Sequence, residues 1–281
     1  MDGFDGGVSM GFVKGNIAPL LKEAKQRPLY GSLLCLGYPD VYLTADQFRS
    51  LCAYYKIDLD PSVEMHTSKR AWFCDNNFIS GETLFKNLGF QEVATMDYSQ
   101  FEGASVLFDL NASVLPVELN NRFDFIADHG TLEHVFHIPN ALNNILNMLR
   151  EGGRVMISSP TSNFVDHGFY MFSPTLFFDY FTANHFEIQS IQVTQSSPKQ
   201  QTDPCFYSDY EPGSFDAVSY GGLNNSIYGV ICIAQKTAQS TGHLIPQQGL
   251  YNKIWGQNND QSGVGRGRIR RLLGEVKRWI S

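Results

Sequence analysis

Three aspartates close three successive short hydrophobic runs of this chain: Asp97 after Met96, Asp109 after Phe108 and Asp128 after Ala127. Ionised carboxylates only accept hydrogen bonds, so three of them along one edge suit a ligand rich in hydroxyl and amino donors. One aspartate after a strand is ordinary, because it caps turns and helices. The recurrence is what points to a site. The preceding run, Ser32 to Leu36, ends instead in Gly37-Tyr38-Pro39-Asp40. Histidine is the natural group to take a proton from a hydroxyl or amine, and two histidines lie where one is needed. His129 directly follows Asp128, and His167 sits beside Asp166 close to Phe169 and Tyr170. His129, His134 and His137 also form an H-x4-H-x2-H series, but that spacing matches no strong ligand motif, and no metal is expected.

The elements that must position these residues alternate β-branched or aromatic runs with helical patterns. That alternation predicts an α/β fold with a mainly parallel sheet and helices on both faces. Strands are expected at Leu33 to Gly37, Glu92 to Asp97, Ser105 to Leu110, Phe123 to Asp128, Arg154 to Ser158, Phe186 to Thr194 and Ile227 to Gln235. The last two have no helical pattern between them, so they should pair antiparallel through a loop. A helix should open at Pro139 and bury Ala141, Leu142, Ile145, Leu146 and Leu149, with Gly152 and Gly153 stopping it. Another should run from Ser173, an N-cap followed by Pro174, to Asn184. In such a sheet ligands bind outside the carboxyl ends of the strands, where the three aspartates fall.

The 281 residues suit one large domain with additions, and 43% apolar against 17% charged residues is a globular balance. The net charge of -7 argues against a protein that wraps nucleic acid, so none is expected as a partner. The opening MDGFDGGVSM is acidic where a secretory signal would be basic, and no apolar run reaches membrane-spanning length. The five scattered cysteines contain no CxxC pair. Reduced thiols in a cytoplasmic setting are expected. Along the chain, 1–30 reads as a lead-in, 31–236 as the main domain with an insertion at 57–80, 237–265 as a linker, and 266–281 as a basic amphipathic helix. That helix carries Arg266, Arg268, Arg270, Arg271, Lys277 and Arg278 against Glu275, with an apolar stripe from Ile269 to Ile280. It suits a protein partner or an anionic membrane surface.

The segment Phe123-Asp-Phe-Ile-Ala-Asp-His-Gly-Thr-Leu-Glu-His-Val135 leads through a helix to Leu149-Arg-Glu-Gly-Gly-Arg-Val155 and Ser158-Ser-Pro160. It resembles the central portion of class I S-adenosylmethionine-dependent methyltransferases, with their LEHV motif, and the resemblance covers Leu33 to Gln235. Asp166 to Tyr170, running into Phe172-Ser173-Pro174 and Phe177-Phe178, resembles a subgroup that acts in glycan, sugar and natural-product pathways. The family's fold is a Rossmann-like sheet of about seven strands, mostly parallel with the last strand antiparallel.

The resemblance implies S-adenosylmethionine as the cofactor. Gly37, with Tyr38, would let its methionine part approach the backbone, and Asp97, with Tyr98, would bind the ribose. Asp109 and Leu110 would sit beside adenine. Asp128, His129 and Gly130 would face the transferred methyl group, with His129 or His167 as base and Asp128 contributing to catalysis. The implied acceptor is an oxygen or nitrogen of a small metabolite, sugar or glycan. Two departures stand out. The first loop offers Cys35, Gly37, Pro39 and Val41 where the family has an acid and several glycines, and sixty residues separate Gly37 from Asp97 where about 20 would suffice. The alternative is a catalytically inactive scaffold or regulatory partner subunit that has lost the cofactor.

Overall fold

The computed structural model describes residues 11–200, 203–249 and 251. The unit ending at Leu244 holds every element named below. It begins with α1 (Lys14–Gln26), β1 (Ser32–Leu36), α2 (Ala45–Tyr55), α3 (Ala71–Asp75) and α4 (Gly81–Asn87). Strands β2 (Glu92–Asp97), β3 (Val106–Leu107) and β4 (Phe123–His129) follow, then α5 (Ile138–Met148), β5 (Leu149–Ser162) and α6 (Pro174–Ala183). Three strands close the unit: β6 (Glu187–Ser196), β7 (Phe206–Asp209) and β8 (Ile227–Gln235).

The strands form one sheet in the order β3-β2-β1-β4-β5-β8-β6-β7. β1 pairs in parallel with β2 and β4, β2 with β3, and β4 with β5. β8 runs antiparallel between β5 and β6. This is the mostly parallel, Rossmann-like sheet with an antiparallel final strand, extended by β7 as an eighth strand antiparallel to β6 at the edge.

Successive residues of a strand face opposite sides, and both sides of this sheet are covered. Leu34 and Leu36 of β1 join the core under α5 and α6, with Leu142, Ile145, Phe177 and Phe181. Leu33 and Cys35 join the other core under α1, α2 and α4, with Leu20, Phe48, Leu84 and Phe85. Because both faces are apolar, β1 after Ser32 reads as an unbroken apolar run, Leu33 to Leu36.

The lead-in 1–30 contains a helix that the sequence reading leaves out. Gly15 and Pro19 break the helical pattern of α1, yet Ile17, Leu20 and Leu21 are buried by it. Proline has no N–H to give the carbonyl four residues back. The Tyr207 hydroxyl makes good that loss, donating to Gly15 O at 2.5 Å. The same helix places Glu23 against Arg154 of β5, both almost fully buried. Arg154 Nη1 lies 2.5 Å from Glu23 Oε1, and the guanidinium also donates to the carbonyls of Arg27 and Pro28. The basic helix expected at 266–281 lies outside the described residues. No helix among the described residues is long and apolar enough to cross a membrane.

Candidate functional site

The topological switch point lies between β1 and β4, whose chains lead away to opposite sides of the sheet. Gly37 leaves β1 with φ of +76°, and its N–H donates to Met96 O of β2 at 2.8 Å. A Cβ added there would meet only Thr131 Oγ1, at 3.1 Å, so the turn presents an open, side-chain-free face. Thr131, after β4, ties the two strand ends together by donating its hydroxyl to Leu36 O at 2.9 Å.

Asp97 and Asp109 stand half-buried at the ends of β2 and β3. In each, Oδ1 holds its own loop: Asp97 accepts from Ser99 N at 2.8 Å, and Asp109 from Asn111 N and Nδ2, both at 2.9 Å. Among the described residues the second oxygen of each takes no hydrogen bond. Leu110 is buried in the core, whereas Tyr98 is 78% exposed.

Between the β1 and β2 loops lies Arg70, the residue before α3, 2.7 Å from Asp40 Oδ2 and 3.1 Å from Glu102 Oε1. Its guanidinium covers the Tyr38 ring at 5.2 Å. Burial raises the Asp40 acid to about 6, against the opposing pull of Arg70. A carboxyl NMR titration should therefore place the Asp40 midpoint near that value, and Arg70→Gln should move it higher. Beside this loop a groove of about 880 Å³ is lined by Tyr38, Pro39, His66, Lys69, Thr83, Val93 and Thr95 among others. None of the three rim aspartates borders it.

At the end of β4 the side chains turn inward. Asp128 is fully buried; its Oδ1 accepts from Thr131 N at 3.1 Å and Leu132 N at 3.3 Å, and Ser159 Oγ lies 3.5 Å from Oδ2. Burial, and then the nearby charge of Glu133, raise its acid well above the usual carboxylate range. His129 is 7% exposed and stacks on Phe12, with ring centroids 3.9 Å apart. Its Nδ1 lies 3.1 Å from Asp128 O, which assigns the proton to Nδ1 and leaves a buried, unpartnered lone pair on Nε2. Burial lowers its pKa to about 4. His129 is therefore a neutral and weakly basic group that meets no acceptor while Phe12 covers it.

His167 has a different setting. It lies on the loop after β5, half-buried, with Nε2 3.7 Å from Glu133 Oε1 and its ring 5.2 Å from that of His134. Glu133, in the 3₁₀ turn Leu132–His134, is completely buried. Sequence spacing missed Glu133 as a site residue, because the partner that gives it meaning comes from another strand's loop. Its one signal was its place in the LEHV motif.

The donor implied by the resemblance fits one part of this rim. The open turn at Gly37 and the half-buried carboxylates of Asp97 and Asp109 suit a nucleoside with a backbone-hugging tail. At the β4 end Asp128 and His129 are both buried.

A search of the curated proteins found no match. Among solved structures, the chain is similar to YcgJ from Bacillus subtilis, at 13% identity and a TM-score of 0.41, covering 79% of this chain and 98% of that one. It is also similar to the N-methyltransferase NodS from Bradyrhizobium japonicum WM9 in complex with S-adenosyl-L-homocysteine, at 10% identity, TM-score 0.40, over 79% of this chain and 86% of that one. The [4+2]-cyclase SpnF matches at 12% identity and a TM-score of 0.43, over 81% and 86%. The model of the family described as a methyltransferase domain matches residues 41–208, more than half of the chain and inclusive of β2 to β6. By that match the protein belongs to the methyltransferase-domain family and is a methyltransferase.

Proposed function

We propose that this protein moves the methyl group of S-adenosylmethionine to an oxygen or nitrogen of a small metabolite, sugar or glycan. The observation that carries the reading is the open Gly37 turn at the switch point flanked by two strand-end carboxylates, Asp97 and Asp109, each with one oxygen left for a ligand. S-adenosylmethionine supplies a methyl carbon on a sulfonium, which an acceptor lone pair takes while the carbon–sulfur electron pair stays on sulfur. Asp97 would accept the two ribose hydroxyls and Asp109 the adenine amine. Gly37 would let the methionine part lie against the backbone, beside Tyr38 and Tyr98. Leu110, buried next to Asp109, would support the adenine site from below.

Asp128 positions the loop that carries Thr131 to the switch point. Low basicity and the Phe12 cover leave His129 poorly suited to take the acceptor's proton. The scattered cysteines, with no CxxC pair, suit a reducing, cytoplasmic setting.

The inactive-scaffold reading draws on the same closed β4 end. Calorimetric titration with S-adenosylhomocysteine separates the two. Saturable binding, weakened about tenfold or more by Asp97→Ala, a loss on the scale of one charge-assisted hydrogen bond, supports the enzyme. Absence of binding at millimolar ligand supports the scaffold.

A further inference from the structure

The strongest unexplained feature of the molecule is the Glu133 carboxylate. It is completely buried, and among the described residues neither oxygen has a hydrogen-bond partner. An ionised carboxylate taken out of water without donors costs several kcal/mol, so such a group calls for a compensating charge. What surrounds it is specific. His167 Nε2, itself buried and unpartnered, stands 3.7 Å from Glu133 Oε1, too far for a hydrogen bond. One donor atom from each of Glu133, His134 and His167 lies within 4.8 Å of the others.

The cluster is held together by the backbone rather than by the three side chains. Phe169 N and Tyr170 N donate to Glu133 O at 2.8 and 3.2 Å, and the Tyr170 hydroxyl donates to Phe136 O at 2.8 Å. A Cβ on Gly168 would come within 2.9 Å of Glu133 O and 3.2 Å of His134 Nδ1, so only glycine lets the loop lie this close. The loop after β5 is thereby clamped onto the turn after β4, and His167 is delivered to a carboxylate 34 residues earlier in the chain.

We propose that Glu133, His134 and His167 bind a divalent first-row transition ion, such as Zn²⁺, Mn²⁺ or Co²⁺. Two imidazoles and one carboxylate form a three-ligand set that leaves coordination positions open, and imidazole favours these ions over Mg²⁺. With bonds of about 2.0–2.1 Å, donor atoms around a tetrahedral ion stand roughly 3.4 Å apart. The His167–Glu133 pair, at 3.7 Å, already stands near that spacing, and a donor atom of the exposed His134 lies within 4.8 Å of both. An acceptor hydroxyl bound to the ion would lose its proton to water more readily. That role, though not ion binding itself, rests on the methyl-transfer reading above.

The test uses the full chain, stripped with chelator and dialysed. Titration with Co²⁺, followed by its visible absorption, should saturate at one ion per chain, and Zn²⁺ should displace it. His167→Gln and Glu133→Gln should each weaken binding about tenfold or more, the scale on which even outer-shell partners act, while His66→Gln, at an exposed histidine elsewhere, leaves it unchanged. His167→Gln, at a half-buried loop position, keeps the test decisive should Glu133→Gln not fold. No saturable binding at millimolar ion, or equal binding by His167→Gln, overturns the proposal. S-adenosylhomocysteine is titrated into the same preparation. Cofactor binding without ion binding overturns the ion site alone, whereas ion binding without cofactor binding upholds the site and overturns the methyl-transfer reading.

Discussion

Replacing Arg154 by leucine is expected to lower the unfolding free energy by about 3–5 kcal/mol, the usual cost of breaking a buried ion pair from one side. Both Arg154 and Glu23 are almost fully buried, and the guanidinium makes three further contributions to the same corner of the fold: two carbonyls and the face of Phe125 at 5.7 Å. Removing it leaves Glu23 with Arg27 Nε at 3.1 Å as its remaining cation, and leaves the carbonyls of Arg27 and Pro28 without that donor. The lost carbonyl donors add to the cost while Arg27 offsets part of it, so the loss should stay within that range. A second variant separates charge from packing: Glu23→Leu combined with Arg154→Leu removes both charges and should recover much of the stability. Urea unfolding reads both. A loss below about 1 kcal/mol for Arg154→Leu, the level of an exposed pair, would contradict the buried pairing of α1 with β5.

Acid should destabilise the fold through His129. Its folded pKa is about 4, below the unfolded value near 6.5, because burial disfavours the imidazolium. Between those values the unfolded chain binds a proton that the folded chain does not. This contribution is fully present above pH 6.5 and is lost as the pH falls toward 4, with an upper bound of about 3 kcal/mol. His129→Phe keeps a ring stacked on Phe12 and has nothing to protonate, so its stability should fall less over the same window. Asp128 works in the opposite sense, since its acid is raised in the folded state, but it is common to both proteins and cancels in their difference. Chelator in both samples keeps stray ions out of the comparison. Equal slopes for the two proteins from pH 6.5 to 4 would show that His129 is not held neutral under Phe12.

Much of the sheet was legible because its strands are short apolar runs with polar ends. β8 spans the expected Ile227 to Gln235, and α6 starts after the expected Ser173 cap, whose hydroxyl accepts from Thr175 N. α1 was hidden because Gly15 and Pro19 interrupt its pattern, and what mends the interruption is a tyrosine from the distant strand β7. Four-residue β7 is too short to declare itself.

The site was legible in part for the same reason. Strand ends can be read locally, so Asp97, Asp109 and Asp128 were placed at the rim, but where each carboxylate points depends on loop hydrogen bonds such as Ser99 N to Asp97. The cover on His129 comes from Phe12, and the partner of Glu133 comes from the loop after β5; neither contact leaves a trace in local periodicity. The insertion, expected at 57–80, contributes Arg70 to the loops of β1 and β2, a role no spacing rule would suggest.

The most direct measurement is the structure of the full chain with S-adenosylhomocysteine bound. The ribose hydroxyls should lie on the second oxygen of Asp97, the adenine amine on Asp109 and the homocysteine tail against Gly37. A nucleoside seated instead in the groove lined by His66, Lys69 and Thr83, with the three strand ends unchanged, would contradict that placement.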